Sequence, residues 1–564
     1  MSRPTKKRKI QDSNAERTNN IQEIENSLQA AVSQGSSLNR LSDLLEIAEK
    51  NGEDPKVLHK ALYALYRTFS LLISKNWFHS PQAPSEKAQI VRQWLFKRLD
   101  QYLGILFALL DHSEPLILDA AWQIPLSLLK QLSSSLSAAT GRPQIHYRIF
   151  RQIVPAYITS DTALVRLKKL TNEYDDIRWF ILREIPSLLS AHSSVPDNNV
   201  TEHVLELLEN IDSMPSQKDD INEFYITELS KPPAGVKFNQ KAQENSEDSD
   251  DDDDWSKFFD TQPAEETASA PERDGRASEF STHKALFYVQ SHRAQFSAAW
   301  LALMQHIKTS PERSNRVLSI LHRSIMPHLT QPLQLVDWIG ACVDFDGATA
   351  LLAFNALFVL IQKHNLDYPD FYTRLYALLD ANILHVRYRA RFFRLLEVFL
   401  SSTHLPATLL ASFLKRLARL SLSAPPPAII MIIPFTYNIL KRHPSLMPMI
   451  HRDFDPTIET DPFLAEEPSP LRTNAISSSL WELNSHRSHY AAPVSTLTQI
   501  FSEAFTKPSY MQEDFLDHTY GTLYTSETKR KITKEPALNI VASSNLFGPP
   551  EELSVSTDPC GLWA

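Results

Sequence analysis

Glycine is scarce in this chain, 11 in 564 residues. Phosphate-cradling loops and tight β-turns depend on glycine, so its scarcity argues against glycine-dependent nucleotide sites and tight-turned β architectures. Cysteine is scarcer still. Cys342 and Cys560 lie far apart in sequence, frame neither a disulfide scaffold nor a zinc site, and suit a reducing compartment. No apolar signal region opens the chain. No run is suited to crossing a bilayer. Residues 351–361 are apolar on nearly every side but fall short of the roughly 20 residues a span requires. The uncharged run 420–440 is interrupted by Pro425, Pro426, Pro427 and Pro434, which predicts a buried, kinked helix and no membrane partner. Walker loops, dinucleotide fingerprints, metalloprotease motifs and nucleophile elbows are missing, so no enzyme, cofactor or metal is expected.

What remains reads as helical. The length leaves room for two or more domains, each with ample core. Residues 1–20 read as a disordered basic tail whose cluster Lys6, Lys7, Arg8 and Lys9 suits capture by an import receptor, or else is a solvated tail. Residues 21–230 are predicted to be an N-terminal helical domain. Its stripes are Leu41, Leu44, Leu45 and Ala48; then Leu58, Leu62, Leu65, Tyr66, Phe69 and Leu72; then Trp94, Leu95, Leu99, Tyr102, Leu103 and Leu106; then Ile117, Ala120, Ala121, Ile124 and Leu128. Pro125 is expected to bend or stop the last of these, and serine- and proline-rich breaks are expected at 80–81, 133–137 and 193–197.

The net charge of −9 is concentrated rather than spread. Residues 231–282 hold Asp250 to Asp254 and few apolar groups, and are predicted to be an acidic disordered linker. Within it, Trp255, Phe258 and Phe259 could anchor a short docking motif, and Ser246 and Ser249 suit an acid-directed kinase; the plain alternative is a solvated spacer. Residues 283–525 are predicted to be a second helical domain, and 526–564 a loop-rich tail. No fixed period repeats, so the expected architecture is all-α, an irregular helical-repeat (HEAT-like) solenoid in two parts joined by the acidic linker.

The second part is organised around residues 365–444. Three apolar stripes follow one another there: Phe371, Leu375, Leu378 and Leu379; Leu384, Tyr388, Phe392, Leu395, Leu396 and Phe399; Leu409, Leu410, Phe413, Leu414, Leu417 and Leu420. Beside the second run Arg387, Arg391 and Arg394, and beside the third Lys415, Arg416 and Arg419. If the helices pack antiparallel, these six could face one side and accept an acidic partner or RNA phosphate. The alternative is stems lying on the core with heads in water. Further on, Asp514, Asp517 and His518 are predicted to share a helical face, a spacing compatible with metal binding or acid–base work but more simply explained by helix-terminus preferences.

The runs YPDFYTRLYALLD, ILHVRYRARFFRLLEVFLSSTHLPA, FLKRLARLSLSAPPPAI and IPFTYNILKRHP, with SSLWEL, HYAAPV and KPSYMQEDFLDHTYGTL downstream, resemble the nucleolar complex protein four family, within the wider group sharing the CCAAT-binding-factor domain. The resemblance covers roughly 318–524, with no comparable match upstream of Phe280. It implies a non-catalytic scaffold of the nucleolus and nucleus. Such a scaffold acts in small ribosomal subunit assembly, pre-rRNA processing and small-subunit maturation and export, as heterodimer partner of nucleolar protein fourteen within the small-subunit processome. An RNA-binding module touching pre-rRNA through the basic helix faces is the alternative.

Overall fold

The computed structural model describes residues 5–34, 36–50, 54–79, 86–191, 198–212, 214–233, 282–345, 347–386, 388–452 and 460–531, with the side chains of 5–18, 191 and 198 left undescribed. All regular structure among them is helical. The chain forms two compact units, Met1–Tyr368 and Pro369–Ala564.

The first unit begins with helices α1 (Thr5–Gln34), α2 (Arg40–Lys50), α3 (Pro55–Ser74), α4 (Glu86–Ala108) and α5 (Pro115–Thr140). Residues 5–20, read from sequence as part of a disordered basic tail, lie on helical backbone; the side chains of Lys6 to Lys9 are outside the described ones. The predicted stripes are the buried ones. All four positions of α2 are enclosed, as are Leu58, Leu62, Leu65, Phe69 and Leu72 of α3. Each leucine or phenylalanine among them contributes roughly 1.5–3 kcal/mol on burial. Asp54 caps α3, its carboxylate accepting from the Lys56 amide, with Pro55 at the first helical position where no amide is missed.

Of the bend or stop expected at Pro125, the stop does not occur: α5 runs through the buried proline to Thr140. The serines at 133–137 do not break it either. Ser133, Ser135 and Ser137 are buried inside the helix, where Ser133 donates to the Leu129 carbonyl (2.7 Å) and accepts from the His146 amide (2.9 Å). A hydroxyl with partners inside the array is no longer a breaker. The other predicted breaks, 80–81 and 193–197, lie outside the described residues.

Helices α6 (Tyr147–Thr159), α7 (Asp161–Glu173), α8 (Asp175–Ala191) and α9 (Asn198–Glu209) follow. Helix then gives way earlier than the predicted limit of 230: the described residues of 210–233 carry one 3₁₀ turn, Lys218–Asp220. This segment is held by the start of α8. Asp176 accepts from the amides of Ile177, Tyr225 and Ile226 at 2.8–3.0 Å, and Asp175 from those of Asn222 and Glu223 at 3.1 and 3.2 Å. Burial raises the Asp176 carboxyl to about 6 against the pull of those amides.

Beyond the acidic segment, α10 (Val289–Ile307) packs on α8 and α9. The buried Trp179 indole donates to Ser291 Oγ at 2.9 Å, and Arg313 and Arg316 of α11 (Pro311–Ile320) pair with Glu202 and Glu209 of α9. Helices α12 (Val336–Val343) and α13 (Ala348–His364) complete the unit. Compactness therefore divides the chain at Tyr368/Pro369, whereas the sequence reading placed the division within 231–282. Apolar periodicity is the same on either side of a linker, and says nothing of which helices meet.

The second unit contains α14 (Phe371–Ala377), α15 (Arg389–Phe399), α16 (Ala407–Ser421) and α17 (Pro426–Arg442), then the short helices α18 (Trp481–Ser485), α19 (Ala492–Thr498) and α20 (Tyr520–Lys529). Every residue of α17 from Pro426 to Leu440 is buried, Pro434 included, whereas the start of the run 420–440, expected to be part of one buried helix, holds the end of α16 and the exposed Leu422 and Ser423. No helix of the described residues is long and apolar enough to cross a membrane. Asn438 of α17 exchanges two hydrogen bonds with the Tyr510 backbone (2.8 and 2.9 Å), and Gln512 donates to the Met431 carbonyl at 3.0 Å, while the buried Thr436 hydroxyl has no partner among the described residues.

Candidate interaction site

Helix α16 is the spine of the second unit. Its apolar stripe faces the helices, as predicted. Lys415 lies about 180° from the middle of that stripe at 100° per residue, the position a solvated cation should take. It is nevertheless fully buried. Residues 460–489 wrap over the back of α16, and Lys415 is enclosed beneath them. Its ammonium lies 2.7 Å from Glu482 Oε1 and 3.0 Å from Asp461 Oδ2, donates to the Ser479 carbonyl at 2.7 Å, and sits over the Trp481 ring, 5.5 Å from its centroid. On the same helix, Ser412 hydrogen-bonds the Pro470 carbonyl, and Ser421 pairs with His486 Nε2 at 2.8 Å. Glu482 is itself wholly enclosed, and burial raises its carboxyl above the usual range while Lys415 opposes the shift. Asp461, half in solvent and hydrogen-bonded by Ser478 and Lys415, is held lower than usual, against a larger opposing push from burial. Lys415 is thus a structural ion, and its expected place in an outward basic row is corrected.

The other five predicted positions separate as well. Arg387 lies outside the described residues. Arg394 makes two hydrogen bonds of 2.6 Å to Glu513, both side chains exposed. Arg416 donates to the Leu379 carbonyl at 2.8 Å and lies 4.4 Å over the Tyr376 ring. Arg419 is exposed and lies 5.7 Å over Phe463. Arg391 is exposed and has no charged partner among the described residues. The rows do not act as one surface, because internal partners occupy Arg394, Lys415 and Arg416.

The Asp514, Asp517 and His518 grouping also separates. The predicted helix 510–524 is two: one turn at Glu513–Leu516, then α20 capped by Thr519. Asp517 and His518 fall in the break, where the His518 carbonyl accepts from Arg389 at 3.1 Å. Among the described residues no cluster of three metal-ligating side chains occurs.

Sequence reasoning missed the turn at 481–488. Trp481, Asn484 and Arg487 point to solvent, while Glu482, Leu483 and His486 are buried. Together with His451 the outward residues line a cleft of about 370 Å³. The alternation of buried and exposed positions follows helical spacing, the one signal in the sequence that could have found it.

Comparison with known proteins adds to this geometry. Residues 350–498 match the model of the CBF/Mak21 family, and residues 11–194 match that of nucleolar complex protein 4-like TPR repeats. The Rattus norvegicus nucleolar complex protein 4 homolog is 30% identical over 557 residues, 95% of this chain and 97% of the rat protein. The chain belongs to the nucleolar complex protein 4 family. The Homo sapiens homolog is 29% identical over 93% of this chain and 95% of its own length. The Saccharomyces cerevisiae nucleolar complex protein 4 is 41% identical over 278 residues, 45% of this chain and 50% of the yeast protein. A nucleolar, nuclear location goes with membership of the nucleolar complex protein 4 family. Likeness therefore extends well upstream of Phe280, where the residues alone displayed none. The N-terminal model is described as TPR repeats rather than the HEAT-like repeats expected, and both are stacked helix pairs.

Proposed function

We propose that this chain is a non-catalytic scaffold in ribosome biogenesis, acting in small-subunit assembly, pre-rRNA processing and small-subunit maturation and export as the heterodimer partner of nucleolar protein fourteen in the processome. The observation that carries the reading is similarity to nucleolar complex protein 4 homologs along nearly the whole chain. An all-helical array among the described residues supports it, since stacked helices present long surfaces and need no reaction centre. The chain tagged and recovered from nuclear extract should retain nucleolar protein fourteen in about 1 M salt, where the screening length is roughly 3 Å and only buried apolar contact persists. Small-subunit precursor RNA should accompany it at low salt. Recovery of large-subunit precursors instead, without nucleolar protein fourteen, would overturn the assignment. Arg391→Glu, at an exposed arginine of the predicted rows with no charged partner among the described residues, should weaken recovery by severalfold at low salt and little at high salt.

Entry to the nucleus is assigned to Lys6, Lys7, Arg8 and Lys9, read by an import receptor. Replacing all four with alanine should lower the nuclear fraction of a fluorescent fusion. An unchanged nuclear signal would place the address elsewhere or on a co-imported partner.

A further inference from the structure

The cleft at 481–488 differs in kind from the basic rows. Its exposed lining includes one large aromatic ring, one cation and one amide, Trp481 (50% exposed), Arg487 and Asn484, together with His451, Ser479 and Ser502. No aspartate or glutamate lines it. The acid of this turn, Glu482, is withdrawn into the core by Lys415, and Glu503, next to the lining residue Ser502, is paired with Lys507 at 2.6 Å. Of the aliphatic side chains at the cleft, Met449, Leu480 and Leu483 are buried at 1–6% exposure and Ile450 is half-buried. A protein partner seeking aliphatic anchors finds few here, while a ligand with flat rings, negative charge and hydrogen-bonding edges finds all three complements. Tyr490, 83% exposed and three residues beyond Arg487, supplies a second ring, stacked on His489 at 4.4 Å.

Rigidity strengthens the argument. The indole rests against the buried ammonium of Lys415, and the turn that carries it is fastened by Glu482 beneath and by His486 to Ser421. A stacking platform held in place loses little freedom when a base lands on it. We propose that Trp481, Asn484 and Arg487 form a binding strip for single-stranded RNA, in which Trp481 stacks a base, Asn484 meets base edges and Arg487 takes a phosphate. This is independent of the partnership with nucleolar protein fourteen.

The test uses the purified full chain and a labelled oligouridylate of about twelve nucleotides, within the usual range of single-strand sites. Fluorescence anisotropy should show binding that weakens with salt. Trp481→Ala should lower affinity about tenfold, the scale of one lost base stack, while Trp481→Phe keeps most of it. Arg487→Ala should reduce the salt slope by about 0.7, one phosphate contact on a single strand. Circular dichroism and melting confirm that each variant is folded; if Trp481→Ala is not, Trp481→Phe and Arg487→Ala carry the test. Failure of the wild type to bind the oligonucleotide overturns the proposal. So does equal affinity of the wild type and the folded Trp481→Ala and Arg487→Ala variants. Loss of nucleolar protein fourteen from the Trp481→Ala chain, without RNA binding by the wild type, would make the strip a protein contact instead.

Discussion

Lys415→Met should destabilise the second unit by about 3–5 kcal/mol, the usual consequence of removing one partner of a buried ion pair. Glu482 would be left enclosed, with only its own backbone amide to support its charge. The loss should depend on pH with a definite sign. The Glu482 carboxyl is already raised above its ordinary 4.5 by burial, and deleting the ammonium that opposes the shift raises it further. A carboxyl raised in the folded state holds a proton that the unfolded chain has released, so stability grows as pH falls through the folded value towards 4.5. The variant should therefore recover part of its loss in mild acid, and the double variant Lys415→Met/Glu482→Gln should show neither the full loss nor that recovery. Urea melts followed by circular dichroism at several pH values measure both. A single-variant loss below about 1 kcal/mol would show that Lys415 reaches water in solution and behaves as a surface pair does.

Cutting the chain within 263–278 should leave the two pieces together. Helices α8 and α10 pack across that segment, with the buried Trp179–Ser291 hydrogen bond in the contact and the paired Arg313 and Arg316 beside it. Uncovering such a contact exposes apolar surface at about 25 cal/mol per Å². A protease site placed there and cut should give two bands on a denaturing gel and one peak in size exclusion. Expressed alone, residues 283–525 should aggregate, whereas 369–531 should be soluble, strongly helical and cooperative in melting. Separation of the nicked pieces without denaturant, or a well-behaved 283–525 fragment, would return the boundary to the acidic segment.

The contrast between these two results and the sequence reading has one source. Helices α2, α3, α4 and α16 bury most of the positions their periodicity named, with Tyr66, Trp94 and Leu420 only half-buried, and α17 buries its apolar run, because an apolar stripe has to leave water whatever covers it. The all-helical class, the lack of a spanning helix among the described residues and the family of the C-terminal part followed from residues alone. The N-terminal likeness did not, since identity over the full length is only 30% and leaves few long shared words to read. Coverage of polar groups was also beyond reach. Ser133 and Ser137 sit inside a helix because neighbouring segments supply partners, and Lys415 is buried because residues 460–489 fold over the back of α16. Periodicity reports how a residue is oriented about its own helix axis. Which other segment lies there, and whether it brings a carboxylate, a carbonyl or only water, is set by contacts between residues distant in sequence, and only the tertiary structure decided it.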